Sequence, residues 1–346
     1  MLEEDLPDDA EVDVVPPAPP MRSRDPIDMV AQVKTEGMRL DLYLHIHMQD
    51  YSRSEIQRAI QSGGITVNGR PTKPGYKVRR NDKLRIQMPE PVHDHAAPED
   101  IPLDILYQDE FLAVVNKPAD MVVHPAKGNW SGTLVNALQF LFRDQLSSEN
   151  GAFRAGIVHR LDKDTSGVIL IAKDDWTHRE LAMQFETRKV FKEYVALTAG
   201  ELERDTDYIE GAIKMHPHDR LRMVVSDDPD AKHALSYYEV LERFRGHTLV
   251  KIQPRTGRTH QIRVHLLHVG CPVLSDKIYG GRGQVKLSDL VPGADPDEVL
   301  IGRQALHAFR LRFQHPRKGT WIEAEAPLPP DMRRTLDALR AHRPRR

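Results

Sequence analysis

GIVHRLDKDTSGVILIAK, residues 156–173, runs a charged loop into an apolar strand, Val168 to Ala172, through a Thr165-Ser166-Gly167 turn. In the loop one carboxylate, Asp162, stands between two bases, Arg160 and Lys163. A carboxylate beside cations keeps its charge at neutral pH. That suits a nucleophile or a base held among phosphates and suits a general acid poorly. An isolated HRLD would read as a surface turn with a local ion pair, so the flanking sequence has to decide.

Working outward, strand-like runs recur at Phe111–Lys117, Phe191–Gly200, Thr248–Pro254 and Ala305–Phe313. Helical patterns fall at Thr133–Phe142, Trp176–Arg188 and Thr259–Val269. After Lys189 the strands follow one another with short connections and few helices. Residues 103–330 are therefore expected to form one α+β domain around a mixed, largely antiparallel sheet. Residues 331–346 read as a basic helix and tail. Residues 91–102 read as a Pro- and acid-containing linker, with His93 and His95 solvent-exposed rather than a metal pair.

Residues 33–90 read as a small α/β unit. Leu40, Leu44 and Met48 recur four apart like a helix face, although Leu42 and Ile46 also permit a strand. Ser52 with Glu55 gives a capping-box pattern, Ile56, Ala59 and Ile60 an apolar helix face, and Gly63-Gly64 a stop. Ile65, Val67, Leu84 and Ile86 alternate like short strands around an Asn68-Gly69 turn. Between Lys34 and Met88 stand eleven bases and five acids.

The net charge of −2 hides an uneven distribution. Residues 1–20 hold seven acids and no base, leaving 49 Lys and Arg against 44 Asp and Glu elsewhere. Residues 1–30 read as a disordered acidic tail, unlike a signal peptide, and the body as mildly basic, compatible with a nucleic-acid partner. The single cysteine, Cys271, rules out a disulfide framework and points to a reducing cytoplasm. No apolar stretch approaches the ~20 residues of a membrane span.

Four segments carry a resemblance, in order: NKPADMVVHP (116–125), HRLDKDTSG (159–167), VFKEYVAL (190–197) and RTGRTHQIRVHLLHVGCPVLSDKIYG (255–280). Together they resemble the RluA-type pseudouridine synthases. The RLDxxL start, the SRSEIQRAI helix and the GGITVNG hairpin resemble the S4 RNA-binding domain. The resemblance implies Asp162 as catalytic carboxylate, Tyr194 as a stacking platform for the target base and Arg263 as the cation paired with Asp162. It implies Lys192 in the wall of the site, Arg160, Arg258 and His260 on RNA backbone or loop, and Arg53 and Arg58 on RNA phosphates. Two positions depart from the pattern, Asp120 and Ser275, each standing where the family has Gly.

The implied reaction breaks an N-glycosidic bond, turns the base and rejoins it through carbon, so no cofactor and no metal are expected. The implied partner is RNA, closest to the S4-bearing group acting on large-subunit ribosomal RNA or a pre-ribosomal particle. No membrane is expected, and nothing requires more than a monomer. The alternatives are a synthase acting on tRNA or another RNA, and a non-catalytic S4 protein, which leaves two-thirds of the chain unexplained. Asp164-Thr165-Ser166-Gly167 also matches the aspartic-protease signature, but no second such motif is present.

Overall fold

The structure, a computed structural model, describes residues 26–31, 37–48, 51, 53–88, 96–126, 129–143 and 145–345. The side chains of residues 54 and 55 are not described, so the Ser52–Glu55 capping box lies outside the described residues. So do His93, His95 and the acidic segment up to residue 25. The chain divides into two compact units, Met1–Val92 and His93–Arg346.

In the first unit, α1 (Leu40–His47) and α2 (Arg53–Gln61) cover an antiparallel sheet. Its strands are β1 (Ile27–Val30), β2 (Ile65–Val67), β3 (Arg70–Pro71) and β4 (Lys83–Ile86), in the order β1-β4-β2-β3. Leu40, Leu44, Ile56 and Ile60 bury fully against Ile65, Leu84 and Ile86, which settles residues 40–47 as helix. Asn68 and Gly69 both take positive φ, 52° and 76°, as a two-residue hairpin turn requires. The tail reading is corrected at its end: Ile27–Val30 is a strand paired to β4, its Ile27 and Met29 packed on the core. Four residues with two inward apolar side chains are too short a signal to stand out from sequence.

The second unit runs β5 (Asp104–Gln108), β6 (Leu112–Lys117), α3 (Leu134–Phe142), β7 (Ser166–Ala172), α4 (Asp175–Glu186) and β8 (Phe191–Ala199). Then come β9 (Thr206–Glu210), β10 (Ile213–Met215), β11 (Met223–Val225), β12 (Leu235–Phe244), β13 (His247–Pro254) and α5 (Gln261–His268). The chain ends with β14 (Val285–Lys286), α6 (Leu287–Leu290), β15 (Val299–Ile301), β16 (Leu306–Gln314), β17 (Trp321–Glu325) and α7 (Pro330–His342). A nine-stranded sheet has the order β5-β6-β7-β16-β8-β13-β12-β9, with β17 beside β16. Its neighbours are antiparallel except β7 and β16, which makes the sheet mixed and largely antiparallel.

Two other readings are corrected. Ala96 is buried, and Asn136 of α3 donates to the Ala97 carbonyl, so residues 96–101 belong to the packed body rather than a free linker. The C-terminal helix α7 is no appendage. Its Met332, Leu336 and Leu339 enter the main core.

β7 is buried along its whole length, with alternate side chains diverging to two cores. Ile169 and Ile171 meet Leu134 and Leu138 of α3, while Val168, Leu170 and Ala172 meet Leu181 of α4 and Phe313 of β16. Each such side chain contributes roughly 1.5–3 kcal/mol. The parallel contact with β16 depends on Gly167. A Cβ there would lie 2.1 Å from the Ala308 carbonyl oxygen, and φ is 113°. Gly167→Ala must push the two strands apart, and overpacking of this kind costs about 1–3 kcal/mol. The expected result is a lower urea midpoint; an unchanged midpoint would show that the pairing yields freely.

Candidate active site

Asp162 sits in the loop before β7, at the wall of a cleft of about 520 Å³. The backbone of this loop is held from beneath. Lys117, fully buried at the end of β6, donates from Nζ to the carbonyls of Pro118 (2.7 Å), Met121 (2.9 Å) and Lys163 (3.1 Å). Arg303 donates from Nη1 to the Asp164 carbonyl at 3.0 Å, and its Nε and Nη2 grip Asp331 in the first turn of α7. Gln304 donates to the Thr165 hydroxyl, and Ser166 is hydrogen-bonded to His307. The Leu170 amide donates to His159 Nε2 at 2.9 Å. Burial, and secondarily Lys192, pulls His159 down to about 3, which keeps it the neutral acceptor this bond needs.

The partner of Asp162 comes from far along the chain. Arg263 Nη1 donates to Asp162 Oδ2 at 2.8 Å, while its Nε and Nη2 donate to Asp276 at 2.6 and 2.9 Å. Asp276 is fully buried and also receives the amides of Ile278 and Tyr279. Burial alone would weaken Arg263 as a base; Asp276 first and Asp162 second reverse this and drive it well above the ordinary arginine value. The bases flanking Asp162 do otherwise. Lys163 pairs with Asp120 at 3.0 Å, and Arg160 is exposed. Adjacent residues of an extended segment project to opposite sides, so sequence neighbours are poorly placed to serve one another.

Tyr194 of β8 lines the same cleft, and burial foremost, with the charge of Asp162, pushes its hydroxyl well above the ordinary tyrosine range. Lys192, Arg160, Arg258 and His260 line it too. Arg258 Nε donates to the His233 carbonyl. His260 takes a left-handed φ of 55°, pairs through Nδ1 with the Tyr279 hydroxyl at 2.8 Å, and places Nε2 3.8 Å from Asp162 Oδ2. Among the described residues no group of three or more His, Cys, Asp and Glu side chains is arranged to hold a metal. Asp120 and Ser275 both adopt positive φ, 61° and 62°, so each takes the backbone conformation that a glycine would take without strain.

Sequence reasoning assigned no part to Lys117, Asp276, Tyr279 or Arg303. The first three stand inside the quoted motifs, where charged residues amid apolar ones were a usable signal; Arg303 carried none.

Residues 111–268 match the model of the RNA pseudouridylate synthase family, and residues 38–84 match the S4 domain. An RNA pseudouridine synthase of Bacillus subtilis (strain 168) is 41% identical over 91% of this chain and 98% of its own. The chain belongs to the RNA pseudouridine synthases. The ribosomal large subunit pseudouridine synthase D of Xanthomonas campestris is 40% identical over 92% of this chain and 96% of its own. The solved human RNA pseudouridylate synthase domain containing 4 superposes with a TM-score of 0.54 at 27% identity, covering 68% of this chain and 93% of that one.

In the S4 domain of this pseudouridine synthase the two arginines differ. Arg58 is exposed on α2, while Arg53 is half-exposed and donates from Nε and Nη2 to the buried Asp41 at 3.1 and 2.9 Å. Burial would raise Asp41, but hydrogen bonds from Arg39, Gln57 and Arg53 hold it well below the carboxylate range. Arg53 therefore braces α1 against α2 as well as offering charge.

Burial, reinforced by Arg303, lowers Lys117 to about 7, although Asp164, Asp162 and Asp120 oppose the shift. An unfolded lysine titrates near 10.4. Between those values the unfolded chain binds the extra proton, so the contribution of Lys117 to stability rises with pH, by at most about 1.4 kcal/mol per unit. The urea stability of the wild type minus that of Lys117→Met is expected to grow between pH 7 and 9. A flat difference would place the lysine's titration elsewhere.

Proposed function

We propose that this pseudouridine synthase isomerises specific uridines of large-subunit (23S) ribosomal RNA, as a single chain in the cytoplasm, acting on the RNA or a pre-ribosomal particle. The observation that carries the site assignment is the Asp162–Arg263 ion pair, opening onto the cleft beside Tyr194. Support for the target comes from the large-subunit synthase D relative, matched along nearly its whole length.

A uridine inside structured RNA leaves its stack to reach the cleft. Asp162 supplies the reacting carboxylate, Arg263 holds and aims it, and Tyr194 is the platform for the base. The glycosidic C1′–N1 bond breaks, C1′ rejoins at C5, the C5 proton departs and N1 gains a proton. The isomerisation is redox-neutral and uses no cofactor. Arg160, Arg258 and Lys192 contact the RNA around the cleft, and His260 lies beside the carboxylate. Arg53 and Arg58 of the S4 domain hold phosphates, which gives affinity and register without reading sequence.

Tritium release from RNA labelled at uracil C5 tests the chemistry. Asp162→Asn is expected to abolish release while leaving RNA binding within about twofold, and retained turnover in this variant would exclude Asp162. Comparing pseudouridine maps of ribosomal RNA from cells with and without the gene tests the target; an unchanged 23S map would move it to another RNA. For the S4 domain, Arg58→Ala should weaken binding and lower the slope of log K against log salt by about 1. A slope equal to the wild type would remove Arg58 from the phosphate contacts.

A further inference from the structure

Charge in the cleft is balanced on one wall only. Asp162 and Asp276 both answer Arg263. On the other wall Lys192 leaves the same face of β8 as Tyr194, two residues and roughly 7 Å away along the strand. Its ammonium has no hydrogen-bond or ion-pair partner among the described residues. Its neighbour Arg188, in the turn after α4, likewise makes no side-chain bond among them, and adds repulsion rather than relief. The nearest acid in sequence that lines the cleft, Glu186, is exposed and pairs with neither. Burial foremost and Arg188 second lower the proton affinity of Lys192.

Taking an ammonium out of water without a counter-charge is unfavourable, and folding gains nothing from it here. A methionine would fill the same space at lower cost. The charge makes sense when a ligand brings the anion. Beside Lys192 stands an aromatic wall, His159 stacked on Phe185 with centroids 4.6 Å apart and planes at 28°. Ammonium, guanidinium and aromatic wall together suit one piece of nucleic acid: a phosphodiester with a base attached.

We infer that Lys192 and Arg188 form a subsite for the phosphodiester adjoining the target uridine, with Phe185 and His159 flanking the next base. The subsite rests on the reading that the uridine lies against Tyr194. A base there leaves an adjoining phosphate within reach of a flexible lysine two residues along the strand. The incoming anion discharges the penalty carried by the empty protein, so part of the binding free energy is stored in the fold as an unpaired charge.

The test uses the full-length enzyme and a synthetic RNA hairpin carrying a uridine identified by mapping, tritiated at C5. A single neutral methylphosphonate replaces the phosphodiester 5′ or 3′ of that uridine. At one of the two positions the neutral linkage should lower wild-type kcat/KM by about tenfold or more, as expected for loss of a charge-assisted bond. The same linkage should cost little further in Lys192→Met, and Lys192→Arg should recover most of the activity. Lys192→Met should also melt no lower than the wild type. Losses that multiply independently at both positions, or a lower melting temperature in Lys192→Met, would overturn the subsite while leaving the enzyme reading intact. A wild type that binds the unmodified hairpin but releases no tritium would overturn the functional reading, and the subsite with it.

Discussion

One buried guanidinium shared by two carboxylates is the interaction around which this structure is organised. Arg263 could not be kept in the interior by Asp162 alone, which is partly open to the cleft. Asp276, fully buried and itself fixed by two backbone amides, meets the cost of desolvation from behind. With two of its nitrogens engaged there, Arg263 has one left to aim at Asp162, and its direction is set before any ligand arrives. The geometry needs three distant segments at once: the loop before β7, the first turn of α5 and the turn at residues 275–280.

The rest of the site is arranged to keep that meeting point still. Successive carbonyls of the Asp162 loop are gripped by Lys117 and Arg303, so the backbone is determined by cations the cleft never touches. Arg303 ties the loop to Asp331, which gives α7 a reason to be part of the core. Left-handed backbone at Asp120, His260 and Ser275 lies on the same segments. Strained conformations of this kind persist only where surrounding contacts over-determine them. The unpaired Lys192 is the opposite case, a charge left without a protein partner on the wall that faces the cleft.

Charge also separates the two units by task. In the S4 domain the internal acid Asp41 draws on Arg39 and Arg53, while Arg58 stays exposed. Basic residues there serve both the packing of two short helices and the attraction of a polyanion. A simple surplus of eleven bases over five acids does not distinguish these uses.

Patterning in the chain determined the order of elements and the character of the sheet, because period-two and period-four apolar spacing is a local property. The unbroken run at Val168–Ala172 marked a strand covered on both faces, and Asn68-Gly69 a hairpin, for reasons confined to a few residues. Motif spacing likewise marked the segments that meet at the cleft. The partners inside it were another matter. Asp162 has bases at its own door, Arg160 and Lys163, yet bonds Arg263 across 101 positions, because local backbone direction turns one neighbour to solvent and the other to Asp120. Lys117 and Arg303 were silent in sequence for the same reason: a cation is recognised as a clamp only when folding brings carbonyls around it. Residue types and their periodicity are written along the chain, whereas which charge answers which is decided by distance and desolvation, and those exist only once the chain is packed.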